Sequence, residues 1–226
     1  MSSALRTRPS IYSTAVGKKY AMAISGLILM VFVLLHMIGN LKFYFGASAL
    51  DTYSEWLREI GEPALPRETL LWAARIVLLG AVGVHIHAAY ALTMINRRAR
   101  PDAYRSKRDW VAADFASRTM RWSGIIVALF VVWHLLDLTW GTVNPDFVSG
   151  DPHHNLIASF QRTPVAIAYV IANLALGLHL YHGAWSMFQS VGIVFSQRRA
   201  FAIAFAAVIV IGNVSFPLSV MLGIIK

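Results

Sequence analysis

Six of the eight histidines lie within long apolar segments of the sequence. An ionisable side chain in such a segment is costly to bury, and it usually faces the interior of a helix bundle or a pathway. Neutral imidazole is also a frequent metal ligand. A single buried histidine is equally well explained by a hydrogen bond to a neighbouring helix, so the arrangement of the whole set decides. The six are His36, His85, His87, His134, His179 and His182.

Four of these histidines fall at two depths. His36 and His134 each lie six residues, or about 9 Å, before the outer end of their segments. His85 and His179 each lie 17 residues, or about 25 Å, into segments that run inward. Bundles build cofactor sites from side chains on separate helices, and two imidazoles fill both axial positions of a haem. We therefore predict two b-type haems about 15 Å apart, an outer one on the first pair and an inner one on the second.

Two ligand assignments stay open at this point. His87 is an alternative to His85, but residues two apart point to nearly opposite faces of a helix, so both cannot serve one haem. His182 is an alternative to His179, three residues away on a similar face. The unused histidines are then free to bond a haem propionate, a quinone or a backbone carbonyl. Gly39 and Gly183 follow two of the ligands on the same faces and are predicted to leave room for a porphyrin.

Five apolar segments must position these side chains. At about 1.5 Å per residue, each is long enough to cross a hydrocarbon core of about 30 Å. The sequence predicts an all-α membrane bundle of five transmembrane helices in a single domain, residues 1–226, without an internal repeat of the segments. The predicted spans are 20–41, 70–95, 122–140, 164–188 and 201–225.

Composition and charge agree with a membrane protein. Hydrophobic residues make up 57% of the chain and charged residues 14%, too few to cover a soluble domain of this size. The net charge of +9 is distributed on one side, because 14 of the 20 Lys and Arg residues fall in the N-terminal segment and in two connections on that side. The positive-inside rule then predicts a cytoplasmic N-terminus and an external C-terminus, with lipid rather than nucleic acid as the surrounding partner.

The two external connections differ in pattern. Residues 46–68 carry apolar side chains at helical spacing among acids, which predicts a short interfacial helix. Residues 141–161 contain Asn144-Pro145 and Asp151-Pro152, which indicate a loop with turns. We expect His153 and His154, in this polar loop, to be solvated.

Charges inside the predicted spans have two readings. Arg75 lies about five residues into the second span, where it either snorkels to the interface or pairs with a haem propionate or with Asp137.

Cysteine is absent, which excludes disulfides, thiolate zinc sites, all-cysteine iron–sulfur clusters and covalently attached c-type haem.

These residues together resemble the cytochrome b membrane anchor of succinate dehydrogenases and fumarate reductases, in its single-chain form with two haems. The resemblance extends from about residue 18 to about residue 212. The stretches that carry it are Ser25-Gly26, His36–Leu41, His85 with Asn96–Pro101, His134–Thr139 with Asn144-Pro145, and His179–Ser186.

The resemblance implies a division of labour within a respiratory complex II of a bacterial plasma membrane. A flavoprotein subunit oxidises succinate in the tricarboxylic acid cycle, an iron–sulfur subunit relays the electrons, and this anchor passes them to menaquinone or another quinone. It implies His85 and His179 as the inner ligands, with His87 still open because some relatives carry a His-Ala pair at this place. Candidates for the quinone site or a haem propionate near the outer haem are Lys42, Tyr44, Glu55, Glu62 and Asp137.

Three other functions are compatible with histidines in a membrane bundle. One is the dihaem cytochrome of a formate dehydrogenase, hydrogenase or nitrate reductase. Another is a proton-coupled transporter that uses the histidines as a relay, although such transporters usually have internal repeats and broken helices. The last is a structural anchor without haem.

Overall fold

The computed structural model describes residues 10–99, 115–193 and 195–226, with side chains except at 115–118. This part of the chain contains no strand, and five of its helices are long and apolar enough to cross a membrane: α1, α3, α4, α6 and α7. The predicted all-α fold with five spanning helices is confirmed. The helices are α1 (Ala15–Asn40), α2 (Ala47–Glu59), α3 (Thr69–Arg98), α4 (Phe115–Leu138), α5 (Pro152–Gln161), α6 (Thr163–Ser190) and α7 (Arg198–Met221).

The membrane helices pack as two neighbouring pairs and a fifth helix. Helix α1 lies along α3, α4 lies along α6, and α7 packs mainly on α6. Helices α1 and α4 are not among the closely packed pairs, and neither are α3 and α6. Side chains from these more distant helices can therefore approach each other across a gap that the backbones leave open.

Two shorter helices lie in the connections at one end of the bundle, which we call the α2/α5 end. Helix α2 confirms the helix predicted within residues 46–68, and it contacts α5. A core that includes Phe43, Leu50, Phe160 and Phe216 joins this end to the membrane helices. The α2/α5 end is thus a packed layer across the bundle.

Helix α5 was not predicted, and the expectation of a loop throughout 141–161 is wrong. The side chain of Asp151 caps the helix by accepting a hydrogen bond from the backbone N–H of His154 at 2.9 Å, and Pro152 occupies the first turn. An Asp-Pro pair suits a turn, but it also suits the start of a helix, where proline lacks only an N–H that has no partner there. The five helical residues that the packing buries are Asn155, Leu156, Ala158, Ser159 and Phe160.

The two histidines of this connection have different surroundings. His154 is exposed, as expected. The expectation that His153 is solvated holds only in part: the residue is half-buried, its ring centre lies 5.0 Å from that of Phe43, and its backbone N–H donates to Asp51 Oδ1 at 3.1 Å. His153 therefore connects α5 to α2 and to the short segment that follows α1.

Gly39 serves a purpose other than the predicted one. A Cβ at Gly39 would lie 2.6 Å from the Tyr53 hydroxyl, so the glycine makes room for a side chain of α2 and not for a porphyrin. At Gly183 an added Cβ would meet no atom within 4 Å, as that expectation requires.

Candidate functional site

The first histidine pair lies near the α2/α5 end. His36 and His134 each precede the last residue of their helices by four positions, so both occur at the same depth. Their ring centres are 5.9 Å apart, and the ring planes are nearly perpendicular, at 86°. This His36–His134 pair joins α1 and α4, two helices that do not pack closely against each other.

The second pair lies deeper in the bundle. His85 and His179 each follow the first residue of their helices by sixteen positions, a rise of about 24 Å. Their ring centres are 6.2 Å apart, with an angle of 66° between the planes. This His85–His179 pair joins α3 and α6, which likewise do not pack closely against each other.

The alternative histidines are directed elsewhere. His87 forms a 2.5 Å hydrogen bond between its Nδ1 and the Tyr12 hydroxyl, and the two rings stack. His182 meets the ring of Trp185 edge to face, at 6.0 Å. Of the four candidates at this level, the structure brings His85 and His179 together.

The spacing within each pair fits a haem iron. An imidazole nitrogen lies about 2 Å from a first-row metal such as zinc, so two imidazoles on opposite sides of one ion have ring centres about 6 Å apart. In the described part of the chain, no group of three or more His, Asp or Glu side chains could hold a metal ion. Two imidazoles alone leave most coordination positions of a metal unfilled, and a haem macrocycle supplies the other four.

Both members of the deeper pair have a serine at Nδ1. The Ser25 hydroxyl lies 3.3 Å from Nδ1 of His85, and the Ser123 hydroxyl lies 3.4 Å from Nδ1 of His179. Metal-bound histidines usually donate their second N–H to such acceptors, which orients the ring and leaves the other nitrogen for the metal.

A buried polar network surrounds His134 at the α2/α5 end. The Tyr169 hydroxyl lies 3.5 Å from His134 Nδ1 and donates to Asp137 Oδ2 at 2.8 Å. The Asp137 side chain is fully buried, accepts a hydrogen bond from Ser159, and pairs with an Arg162 nitrogen at 2.5 Å. Every described partner of Asp137 therefore comes from α5, from α6 or from the residue between them.

The remaining predicted residues do not join either histidine pair. Arg75 stacks over Trp72 at 4.7 Å, while Arg162 is the arginine that pairs with Asp137. Lys42 lies over the ring of Tyr53, and the Tyr44 hydroxyl donates to Ser215. Sequence reasoning missed four residues that contact His179, His134 or Asp137: Ser123, Ser159, Arg162 and Tyr169.

Helices α4–α6 repeat the plan of α1–α3, and the prediction of no internal repeat is wrong. The first membrane helix of each half carries the same pattern, Ser-Gly-x-Ile-x3-Phe-Val-x2-His, at residues 25–36 and 123–134. The second carries Ala-x-Gly-x-His, at residues 81–85 and 175–179. A comparison of the sequence with itself around the histidines reveals this signal. Each half thus contributes one histidine to each pair.

Comparison with protein families gives one match. Residues 93–216 match the family described as succinate dehydrogenase/fumarate reductase transmembrane subunit. The match covers more than half of the chain, including His134 and His179, whereas His36 and His85 precede it. No match was found among the curated proteins or among the solved structures.

Proposed function

The chain belongs to the succinate dehydrogenase/fumarate reductase transmembrane subunit family and is a multi-pass membrane protein, and from this premise we propose that it is the single-chain, dihaem form of that subunit. The observation that carries the proposal is the presence of two histidine pairs, with ring centres 5.9 Å and 6.2 Å apart. Each pair lies between two helices that do not pack closely against each other. His36 and His134 would hold the outer haem iron, and His85 and His179 the inner one. Each bound haem supplies one-electron redox chemistry within the bundle.

The chain's own residues orient the imidazoles. Ser25 and Ser123 lie at Nδ1 of the deeper pair, and Tyr169 lies at Nδ1 of His134. The Asp137 carboxylate accepts from Ser159 and Tyr169 and pairs with Arg162. We therefore propose that Asp137 positions His134 through Tyr169, in place of a direct contact with a haem propionate or a quinone.

The proposed partners of the chain come from its family, and the absence of cysteine agrees with them. Without cysteine it cannot ligate an all-cysteine iron–sulfur cluster, and we propose that an iron–sulfur subunit delivers electrons from a flavoprotein subunit that oxidises succinate. The electrons leave to menaquinone or another quinone at the α2/α5 end. Lys42, Tyr44 and Glu55 lie at that end and are the side chains we propose for the quinone site, with Glu62 in the connection that follows α2.

The first test is the haem content of the purified complex. We expect two protohaems per chain in a pyridine haemochrome assay, a b-type spectrum in the dithionite-reduced minus oxidised difference, and co-purification of a flavoprotein and an iron–sulfur protein. One haem or none contradicts the dihaem assignment. Co-purification with part of a formate dehydrogenase, hydrogenase or nitrate reductase instead contradicts the proposed complex.

The orientation in a bacterial plasma membrane is a separate proposal. The 14 basic residues on one side favour a cytoplasmic N-terminus, and we propose that the α2/α5 end lies outside. A phosphatase reporter that is active only outside the cytoplasm should be active when fused after Lys226 and inactive when fused in the connection between α3 and α4. The reverse pattern contradicts the orientation without affecting the haem assignment.

A further inference from the structure

The same contacts occur twice around the deeper histidine pair. Ser25 and Gly26 of α1 lie against the ring of His85 in α3, and Ser123 and Gly124 of α4 lie against the ring of His179 in α6. The serines lie 3.3 and 3.4 Å from Nδ1. A Cβ added to the glycines would lie 3.2 and 3.3 Å from Cε1. The same geometry is thus kept in both halves of the internal repeat, which indicates a shared purpose.

We propose that the two Ser-Gly pairs are positioning residues for the inner haem. Each serine accepts a hydrogen bond from Nδ1–H of the facing histidine, and each glycine leaves the space in which that ring lies. This inference rests on the proposed function, in which His85 and His179 ligate one iron.

The hydrogen bonds determine which ring nitrogen remains available. The Ser25 hydroxyl donates to the Ala21 carbonyl at 2.7 Å, and the Ser123 hydroxyl donates to the Met120 carbonyl at 3.0 Å. With its proton so used, each serine oxygen can only accept from the imidazole, so Nδ1 carries the ring proton. Nε2 then keeps its lone pair for a metal.

Each Ser-Gly pair lies on a helix that ligates the outer haem but contacts a histidine that ligates the inner one. Helices α1 and α4 carry the histidines of the His36–His134 pair, yet their Ser-Gly pairs contact the histidines of the other pair. Substitutions at Ser25, Gly26, Ser123 or Gly124 should therefore change the inner haem, although they lie on the helices that ligate the outer one.

The glycines provide the sharper test. In Gly26→Ala or Gly124→Ala the new methyl group forces the facing imidazole to shift by a few tenths of an ångström.

The serine variants act on the electronic properties of the ligand. In Ser25→Ala or Ser123→Ala the imidazole loses an acceptor and becomes a less basic ligand, which raises the potential of its haem. Loss of such a partner typically changes metal binding by at least about tenfold, and a tenfold change between the two redox states corresponds to about 59 mV for one electron.

The experiment is a redox titration of the two haems in the intact complex, followed by absorption and by electron paramagnetic resonance. We expect the midpoint potential or the resonance signal of one haem to change in all four variants, and the other haem to stay as in the wild type. The haem that changes must be the one that is lost in His85→Ala. The matched control is Gly80→Ala on α3: Gly80 is exposed and lies about 140° around the helix from His85, on a face turned away from His179, so an added Cβ should leave both haems unchanged.

Two outcomes overturn the inference. One is a change in the haem that is lost in His36→Ala, and the other is unchanged spectra and potentials in all four variants. Both are measured against a wild-type complex that contains two haems, so they are distinct from failure of the proposed function. That failure is a wild-type complex with fewer than two haems.

Discussion

Replacing His134 by alanine is expected to remove one of two haems and to leave the other spectrally intact. His134 faces His36 at 5.9 Å between ring centres, and each iron in the proposed arrangement receives one imidazole from each of two helices. Without His134 the proposed outer haem would keep only one protein ligand, His36. The chain has no cysteine, so no covalent bond would retain that haem. The pyridine haemochrome assay should fall from two haems per chain to about one.

The pairing itself is tested by comparing single variants. His36→Ala and His134→Ala should leave the same residual haem, with one midpoint potential, whereas His85→Ala should leave the other. His87→Ala is the matched control, since His87 bonds Tyr12 on the face of α3 away from His179, and it should keep both haems. Different residual haems in His36→Ala and His134→Ala would contradict the pairing.

Replacing Asp137 by alanine is expected to lower the free energy of unfolding by about 3 kcal/mol, because it breaks a buried ion pair by removing one partner. Arg162 would keep its charge in a mostly buried position, with a side chain only 26% exposed. Tyr169 and Ser159 would also lose the acceptor of their hydrogen bonds. Equilibrium unfolding in mixed detergent micelles, followed by far-ultraviolet circular dichroism, measures the change.

The control is an ion pair of similar chemistry in solvent. Glu55 pairs with Arg58 and Arg67, and its side chain is 45% exposed, so Glu55→Ala should cost less than about 1 kcal/mol. The double variant Asp137→Ala with Arg162→Ala should be more stable than Asp137→Ala alone, because no buried charge is then left without its partner. Equal effects of Asp137→Ala and Glu55→Ala would show that the network around Asp137 does not stabilise the fold.

The sequence by itself determined the membrane helices and the depths of the histidines. Helix length follows from the apolar segments, and the rise per residue is constant, so counting residues suffices to bring His36 level with His134 and His85 level with His179. The internal repeat was equally present in the sequence, at Ser25-Gly26 and Ser123-Gly124, and only a comparison of the two halves was needed to see it.

The tertiary structure decided which side chains meet. Whether Arg75 or Arg162 pairs with Asp137 depends on how α4, α5 and α6 are rotated against each other, and no local pattern specifies that rotation. Helix α5 itself depends on packing, since its ten residues are too few to form a stable helix in isolation. The serines at His85 and His179 also come from other helices. Residue counting gives the depth of a side chain along its helix, whereas its partner depends on contacts between segments that are distant in the chain.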